Sequence, residues 1–381
     1  ADWRAVLPYN EQHYFEHMQV FKNHLVLFER SNALMRIKIL DLKDFPNVTQ
    51  RYLKFDEAVH HVKLLSDQNY EKDVLRFVYS SPITPDITYE CDLKTLELKV
   101  LKKTVVPNYD ASLYQTERLW ATSHDGALIP ISVLKTKDAD KREKKLLHLY
   151  GYGSYGLCKD PVFDSKVFSL LSRGFIYAVA HVRGSAILGR TWYLNGKYEH
   201  KKNTFLDFIA CADTLVAKGM TSHELMSIEG RSAGGLLVGA SLNMRPDLCR
   251  AALNDVGFVD VLNTMLDESI PLTREEFTQW GNPKEKKYFD VIQEYCPYTN
   301  LTSEELPHLL VKAGLFDPRV GYWEPSKYVA KARYLNPERK RALLLHVHLH
   351  AGHFSSSGRY AHLQDYAGEL AFLVHYLNKD E

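Results

Sequence analysis

The sequence predicts an α/β protein, a mostly parallel sheet wound on both faces by helices, preceded by an all-β segment. The grammar of the chain changes after Asp110, from short strands alone to strands alternating with helices. In the second half, residues 146–150 form a short continuous apolar run, as a parallel strand covered on both faces requires. A Gly-x-Ser-x-Gly segment then joins one strand to a helix.

In the first half, residues 25–28 and 35–40 are apolar runs around the turn-like Ser31-Asn32, and residues 74–79 are closed by Ser80-Ser81-Pro82. Residues 88–91 and 96–101 flank Asp92-Leu93-Lys94, a hairpin signal. Such strands suit a sandwich, a barrel or a propeller, and no internal repeat chooses among them.

In the second half, residues 120–123 and 128–134 bracket Asp125-Gly126 as a hairpin. Strands are expected at 146–150, 175–182, 225–229, 309–313 and 343–349. Between and after them come helices at 167–173, at 205–217 with Asn203-Thr204 as cap, at 236–243 and at 366–377. In such sheets the reactive groups gather at the carboxyl ends of the strands.

A chain of 381 residues exceeds what one core usually organises, so two domains are expected, 1–112 and 113–381. A net charge of +1 carries no polyanion footprint, so nucleic acid is not an expected partner. No run of 18 apolar residues suggests a membrane span, and Ala1-Asp2-Trp3-Arg4 does not open as a signal peptide. Cys91, Cys158, Cys211, Cys249 and Cys296 show no Cys-x-x-Cys spacing. They predict neither a disulfide framework nor a zinc site, and point to a reducing compartment, the cytoplasm.

The segment Gly230-Arg231-Ser232-Ala233-Gly234 is the most informative. Flanking glycines let strand and helix approach across a sharp turn, the turn lifts the serine hydroxyl, and the Ala233 N–H faces a developing oxyanion. This reads as the nucleophile elbow of an α/β-hydrolase, against the alternative of a plain tight turn. A serine needs a base, and in this fold an acid and then a histidine follow it. Asp317 ends a strand and a Gly-containing turn, and His353 lies in a loop after the last strand. Asp317 also reads as a turn-capping aspartate. His346, His348 and His350 share one strand face, which reads as a crevice lining or, less readily, as a zinc face.

These residues resemble the prolyl oligopeptidase family, oligopeptidase B above all. The resemblance is carried by LYGYGSYG (149–156), HVRGSAILGR (181–190), IEGRSAGGLL (228–237), NMRPDL (243–248), QWGNP (279–283), DPRVGYWEPSKYVAK (317–331) and AGHFSSSGRY (351–360). The early SSPITPDITYECDL (80–93) and the stretch 258–273 add to it. It implies a peptidase domain behind a β-propeller, here an incomplete one of two to three blades, with a missing N-terminal propeller segment as an expected partner. It implies Ser232, Asp317 and His353 as the triad, Tyr152 as second oxyanion donor beside Ala233, and Arg319 on a substrate carbonyl. Phe258 and Glu276 are placed at the substrate, with Glu276 as the pocket acid for Arg or Lys and Asp160 as an acid of the neighbouring subsite. Without the resemblance, Glu275 and Glu276 read as a solvated helix face. No metal or organic cofactor is implied.

The pattern departs from the family at Thr278 and Val162, which replace companion acids, and at Ser185, Ile187 and Gly257. The expectation is a serine oligopeptidase that cleaves short peptides after Arg or Lys. An esterase with the same triad and an inactive fragment are the alternatives.

Overall fold

The structure, a computed structural model, describes residues 5–45, 47–66, 68–354 and 360–378. Residues 1–4 and 355–359, both within segments discussed above, lie outside the described residues.

The first part forms two four-stranded antiparallel sheets of propeller-blade type. One is β1 (His13–Val20), β2 (His24–Ser31), β3 (Leu34–Asp41) and β4 (Thr49–Tyr52), and the other is β5 (His61–Leu64), β6 (Val74–Ser80), β7 (Ile87–Asp92) and β8 (Leu98–Lys103). The β2–β3 turn places Asn32 and Ala33 both at positive φ, as a tight hairpin turn requires. Val26, Phe28, Ile37 and Ile39 of the first sheet share a core with Leu75, Phe77 and Cys91 of the second. β2 is buried on both faces, and the charged side chains this traps, Glu29 and Arg30, are paired. Glu29 is held by Lys38 at 2.8 Å and by the Tyr52 hydroxyl at 2.8 Å.

The second part is one eight-stranded sheet: β9 (Tyr114–Thr122), β10 (Leu128–Thr136), β11 (Leu146–Gly151), β12 (Phe175–Ala180), β13 (Met226–Arg231), β14 (Ala251–Asp255), β15 (His308–Gly314) and β16 (Leu343–His348). Its order is β16-β15-β14-β13-β11-β12-β10-β9. β10 runs antiparallel to β9 and β12, and the other pairs are parallel. The order reverses between β11 and β13, so a crevice opens there at the carboxyl ends.

The helices that matter for the site are α1 (Lys202–Ala217), α2 (Ala233–Met244), α3 (Thr273–Trp280), α4 (Trp323–Leu335) and α5 (Ala361–Asn378). Two expectations are corrected. α1 starts at Lys202, so Asn203 and Thr204 lie in its first turn instead of capping it, and the Thr204 hydroxyl donates to Arg183 O at 2.9 Å. β14 is a strand that the sequence did not announce, because Ala-Ala-Leu-Asn-Asp lacks β-branched residues and is too short for a periodic signal. Five residues suffice because both neighbours in the sheet pair with it and every one of them is buried.

Candidate active site

Ser232 sits between β13 and α2 at φ 57°, ψ −119°, a left-handed conformation that costs energy for any residue with a Cβ. Three backbone bonds hold it there: Ser232 N donates to Asp255 O at 2.9 Å, and Gly235 N and Phe258 N donate to Ser232 O at 2.8 and 3.0 Å. Glycine is required on either side, since a Cβ on Gly230 would lie 2.0 Å from Gly234 O, and one on Gly235 2.3 Å from Gly257 Cα. The Ala233 N–H belongs to the first turn of α2, where amides have no partner within the helix.

Asp317 follows β15 and His353 follows β16. Nδ1 of His353 and Oδ2 of Asp317 are 2.7 Å apart, and both side chains are buried. Oδ1 of Asp317 accepts the N–H groups of Arg319 and Val320 at 2.8 and 3.0 Å. One oxygen of this aspartate thus accepts the turn amides and the other faces the ring. Burial alone would raise its pKa, but the bonds from His353 and the two amides outweigh that and hold it below the ordinary range. The rings of His346 and His348 lie tilted to each other with centres 4.1 Å apart, and among the described residues no group of three or more ligands is arranged for a metal.

Among the described residues no hydrogen bond joins Ser232 Oγ to His353. Such bonds in unliganded sites commonly tighten only with substrate. Arg231, the residue before the nucleophile, bridges the two loops: its guanidinium donates to the Asp255 carboxylate and to the carbonyl of His353.

A cavity of about 240 Å³ opens beside Ser232, and Tyr152, Tyr155, Phe258, Glu276 and Arg319 line it with the apolar Met265, Ile270 and Leu272. Tyr152 follows β11. Burial pushes its phenol up to about 12, so it is a neutral donor at physiological pH. Phe258 packs its ring 5.5 Å from that of Trp280. The Arg319 guanidinium lies 4.9 Å from the Phe354 ring centre.

Glu276 is on α3. Its Oε2 accepts Trp280 Nε1, one turn on, at 2.7 Å and the Tyr155 hydroxyl at 2.9 Å. Oε1 accepts no hydrogen bond among the described residues. Burial raises its pKa, and the two donors only partly oppose that. Tyr155 and Trp280 were not singled out by the sequence reading, although both lie within segments that carry the resemblance.

Asp160 does not line this cavity. Arg30 of β2 grips both its oxygens at 2.6 and 3.1 Å, and His61 Nδ1 approaches to 3.4 Å. It lines a separate, smaller cavity with Val162 and His181. Thr278 turns its hydroxyl onto Glu275 O at 2.8 Å. Ile187 is fully buried, and Ser185 donates to Val182 O at 2.8 Å, so these departures leave no orphaned polar group. A Cβ at Gly257 would meet Asn254 Oδ1 at 1.7 Å, so any larger residue here requires that side chain to move.

The prolyl oligopeptidase family model matches residues 161–380, and the model of that family's N-terminal β-propeller domain matches residues 1–104. The chain belongs to the prolyl oligopeptidase family. Among its relatives in that family, Dipeptidyl aminopeptidase BI of Pseudoxanthomonas mexicana is 41% identical over 98% of this chain and 51% of its own length. Protease 2 of Moraxella lacunata is 38% identical over 97% of this chain and 53% of its own. Among solved structures of the family, oligopeptidase B of Trypanosoma brucei with covalently bound antipain superposes with a TM-score of 0.91 at 43% identity. It is covered over 54% of its length by 99% of this chain. The chain thus spans about half the length of the relatives it matches.

Proposed function

We propose that this chain carries the catalytic site of a serine oligopeptidase that hydrolyses short peptides after Arg or Lys. The observation that carries the reading is the shared cavity: Ser232, Tyr152, Arg319 and Glu276 face one space, with the His353–Asp317 pair on the neighbouring loops. Glu276 is a half-buried carboxylate with one oxygen already oriented by two donors and the other uncommitted, which suits a guanidinium or ammonium at the end of an apolar slot. Residues 1–112 fit the reading as blades of the family's propeller, and residues 113–381 as the peptidase domain.

In the proposed reaction Ser232 Oγ attacks the carbonyl carbon as His353 takes its proton. Asp317 holds the ring in the right tautomer and stabilises the imidazolium. The carbonyl oxygen becomes an oxyanion between the Ala233 N–H and the Tyr152 hydroxyl. His353 then gives the proton to the leaving amine, the C–N bond breaks, and an acyl ester on Ser232 remains. Water, deprotonated by His353, attacks that ester and releases the acid and the serine. Arg319 holds a substrate carbonyl as a fixed fork of donors.

Active-site labelling tests this. An aryl phosphonate bearing a guanidinium is expected to modify the chain at Ser232 and to leave Ser232→Ala unmodified. Glu276→Gln is expected to slow that probe while reacting normally with a neutral phosphonate. Equal slowing of both probes would favour a general esterase, and no labelling of the folded chain would favour an inactive scaffold.

A further inference from the structure

Lys201 is 1% exposed, an unusual place for an ammonium group, and among the described residues it has no ion-pair partner. Its three donors are nonetheless all used. Nζ donates to Gly153 O at 2.6 Å, to Ser154 Oγ at 2.9 Å and to Thr204 Oγ1 at 3.3 Å. Two of these acceptors belong to the residues directly after Tyr152. The third is fixed from behind, since the Thr204 hydroxyl donates to Arg183 O at 2.9 Å. Arg183 is itself clamped by the buried Asp207 at 2.6 and 2.8 Å.

The Tyr152 hydroxyl has no hydrogen-bond partner among the described residues, so its aim depends on where its backbone is held. The backbone there is unusual. Gly153 is at φ +71°, and a Cβ on it would lie 2.3 Å from Thr204 Cγ2. A methionine at 201 would fill much the same volume without the cost of desolvating an amine. What it would not supply are the donors. Burial lowers the Lys201 pKa to about 7.

We propose that Lys201 is a positioning residue for the oxyanion site, anchoring the 153–154 backbone so that the Tyr152 hydroxyl meets the developing oxyanion. The inference rests on the reading of Tyr152 as an oxyanion donor. Such donors act only when preplaced to within a few tenths of an ångström, and a misplacement of about 1 Å costs on the order of a hundredfold in rate.

A double-mutant cycle on the 381-residue chain tests it, with Lys201→Met, Tyr152→Phe and the pair. For each, kcat and KM are measured on an amino-blocked arginine amide. Inhibition is measured with an arginine peptide aldehyde, which forms a tetrahedral adduct, and with benzamidine, which reports only the cation pocket. Tyr152→Phe is expected to lower kcat about a hundredfold. Lys201→Met should lower kcat at least about tenfold, weaken the aldehyde in parallel and leave benzamidine unchanged, and the double variant should be no worse than Tyr152→Phe. Lys201→Gln keeps two N–H donors and should recover part of the loss; if Lys201→Met does not fold by circular dichroism, the glutamine variant carries the same cycle. Effects that multiply in the double variant, or loss of benzamidine binding in proportion to kcat, would overturn the role of Lys201 alone. An unchanged kcat in Tyr152→Phe would overturn the oxyanion reading of Tyr152 itself, and the inference with it.

Discussion

Arg30 and Asp160, 130 residues apart in sequence, form a two-pronged ion pair that ties the first four-stranded sheet to the loop after β11. Arg30 is almost fully buried and Asp160 largely so. Arg30 also pairs with Glu16, so Arg30→Met strands both carboxylates and is expected to destabilise the chain by about 3–5 kcal/mol, and adding Asp160→Leu to recover part of that. Urea unfolding at pH 7 measures both. Burial alone would raise the Asp160 pKa, but bonds from His61 and Arg30 hold it well below the ordinary carboxylate range. Its stabilisation is therefore present above the unfolded value, near 3.9, and is lost as the pH falls below it. A chain with Asp160→Asn should lack this part of the acid sensitivity.

Glu276 has the opposite sign. Its raised pKa means that the ionised form is disfavoured by burial, so this term favours folding at low pH and fades as the pH rises through the folded value. Glu276→Gln is accordingly expected to be at least as stable as the parent at pH 7, while kcat/KM on arginine substrates falls by about 2–5 kcal/mol in transition-state terms. Thermal melts and steady-state kinetics on one preparation decide it. A parallel fall on neutral substrates would count against a cation pocket.

Asp317→Asn should keep the turn, since an amide oxygen can still accept from Arg319 and Val320, but should present the wrong partner to His353. The expected result is a drop in kcat of about 10⁴ with little change in melting temperature. Unchanged kcat would remove Asp317 from the triad.

Much of this was legible in the sequence because it is local. The elbow at Ser232 announces itself through glycines that a strand-to-helix turn needs, and Asp317 and His353 each follow a readable strand. What was not legible depends on contacts far apart in the chain. The pairing of Asp160 with Arg30 was not legible, since neither residue carries a local sign of the other. Tyr155 and Trp280 became visible only when α3 placed Glu276 between them. Lys201 is one basic residue in a Lys-Lys pair, and nothing in its neighbours says that one of the two is buried. Strand β14 escaped because five residues with a single large apolar side chain, Leu253, carry no period.

Arg231 is the link between nucleophile and base loops, through Asp255 and the carbonyl of His353. Arg231→Met is expected to lower kcat by roughly tenfold to a hundredfold with KM little changed, because the substrate contacts stay and the placement of the base is lost. Progress curves at saturating substrate measure it. A rise in KM alone would assign Arg231 to binding.

The most direct test of the peptidase reading is cleavage of matched, amino-blocked amide substrates with Arg, Lys, Pro or Phe before the scissile bond, by the chain and by Ser232→Ala. The account predicts cleavage after Arg and Lys, little after Pro or Phe, and none by Ser232→Ala. Equal cleavage of all four substrates, or cleavage that survives in Ser232→Ala, would contradict it.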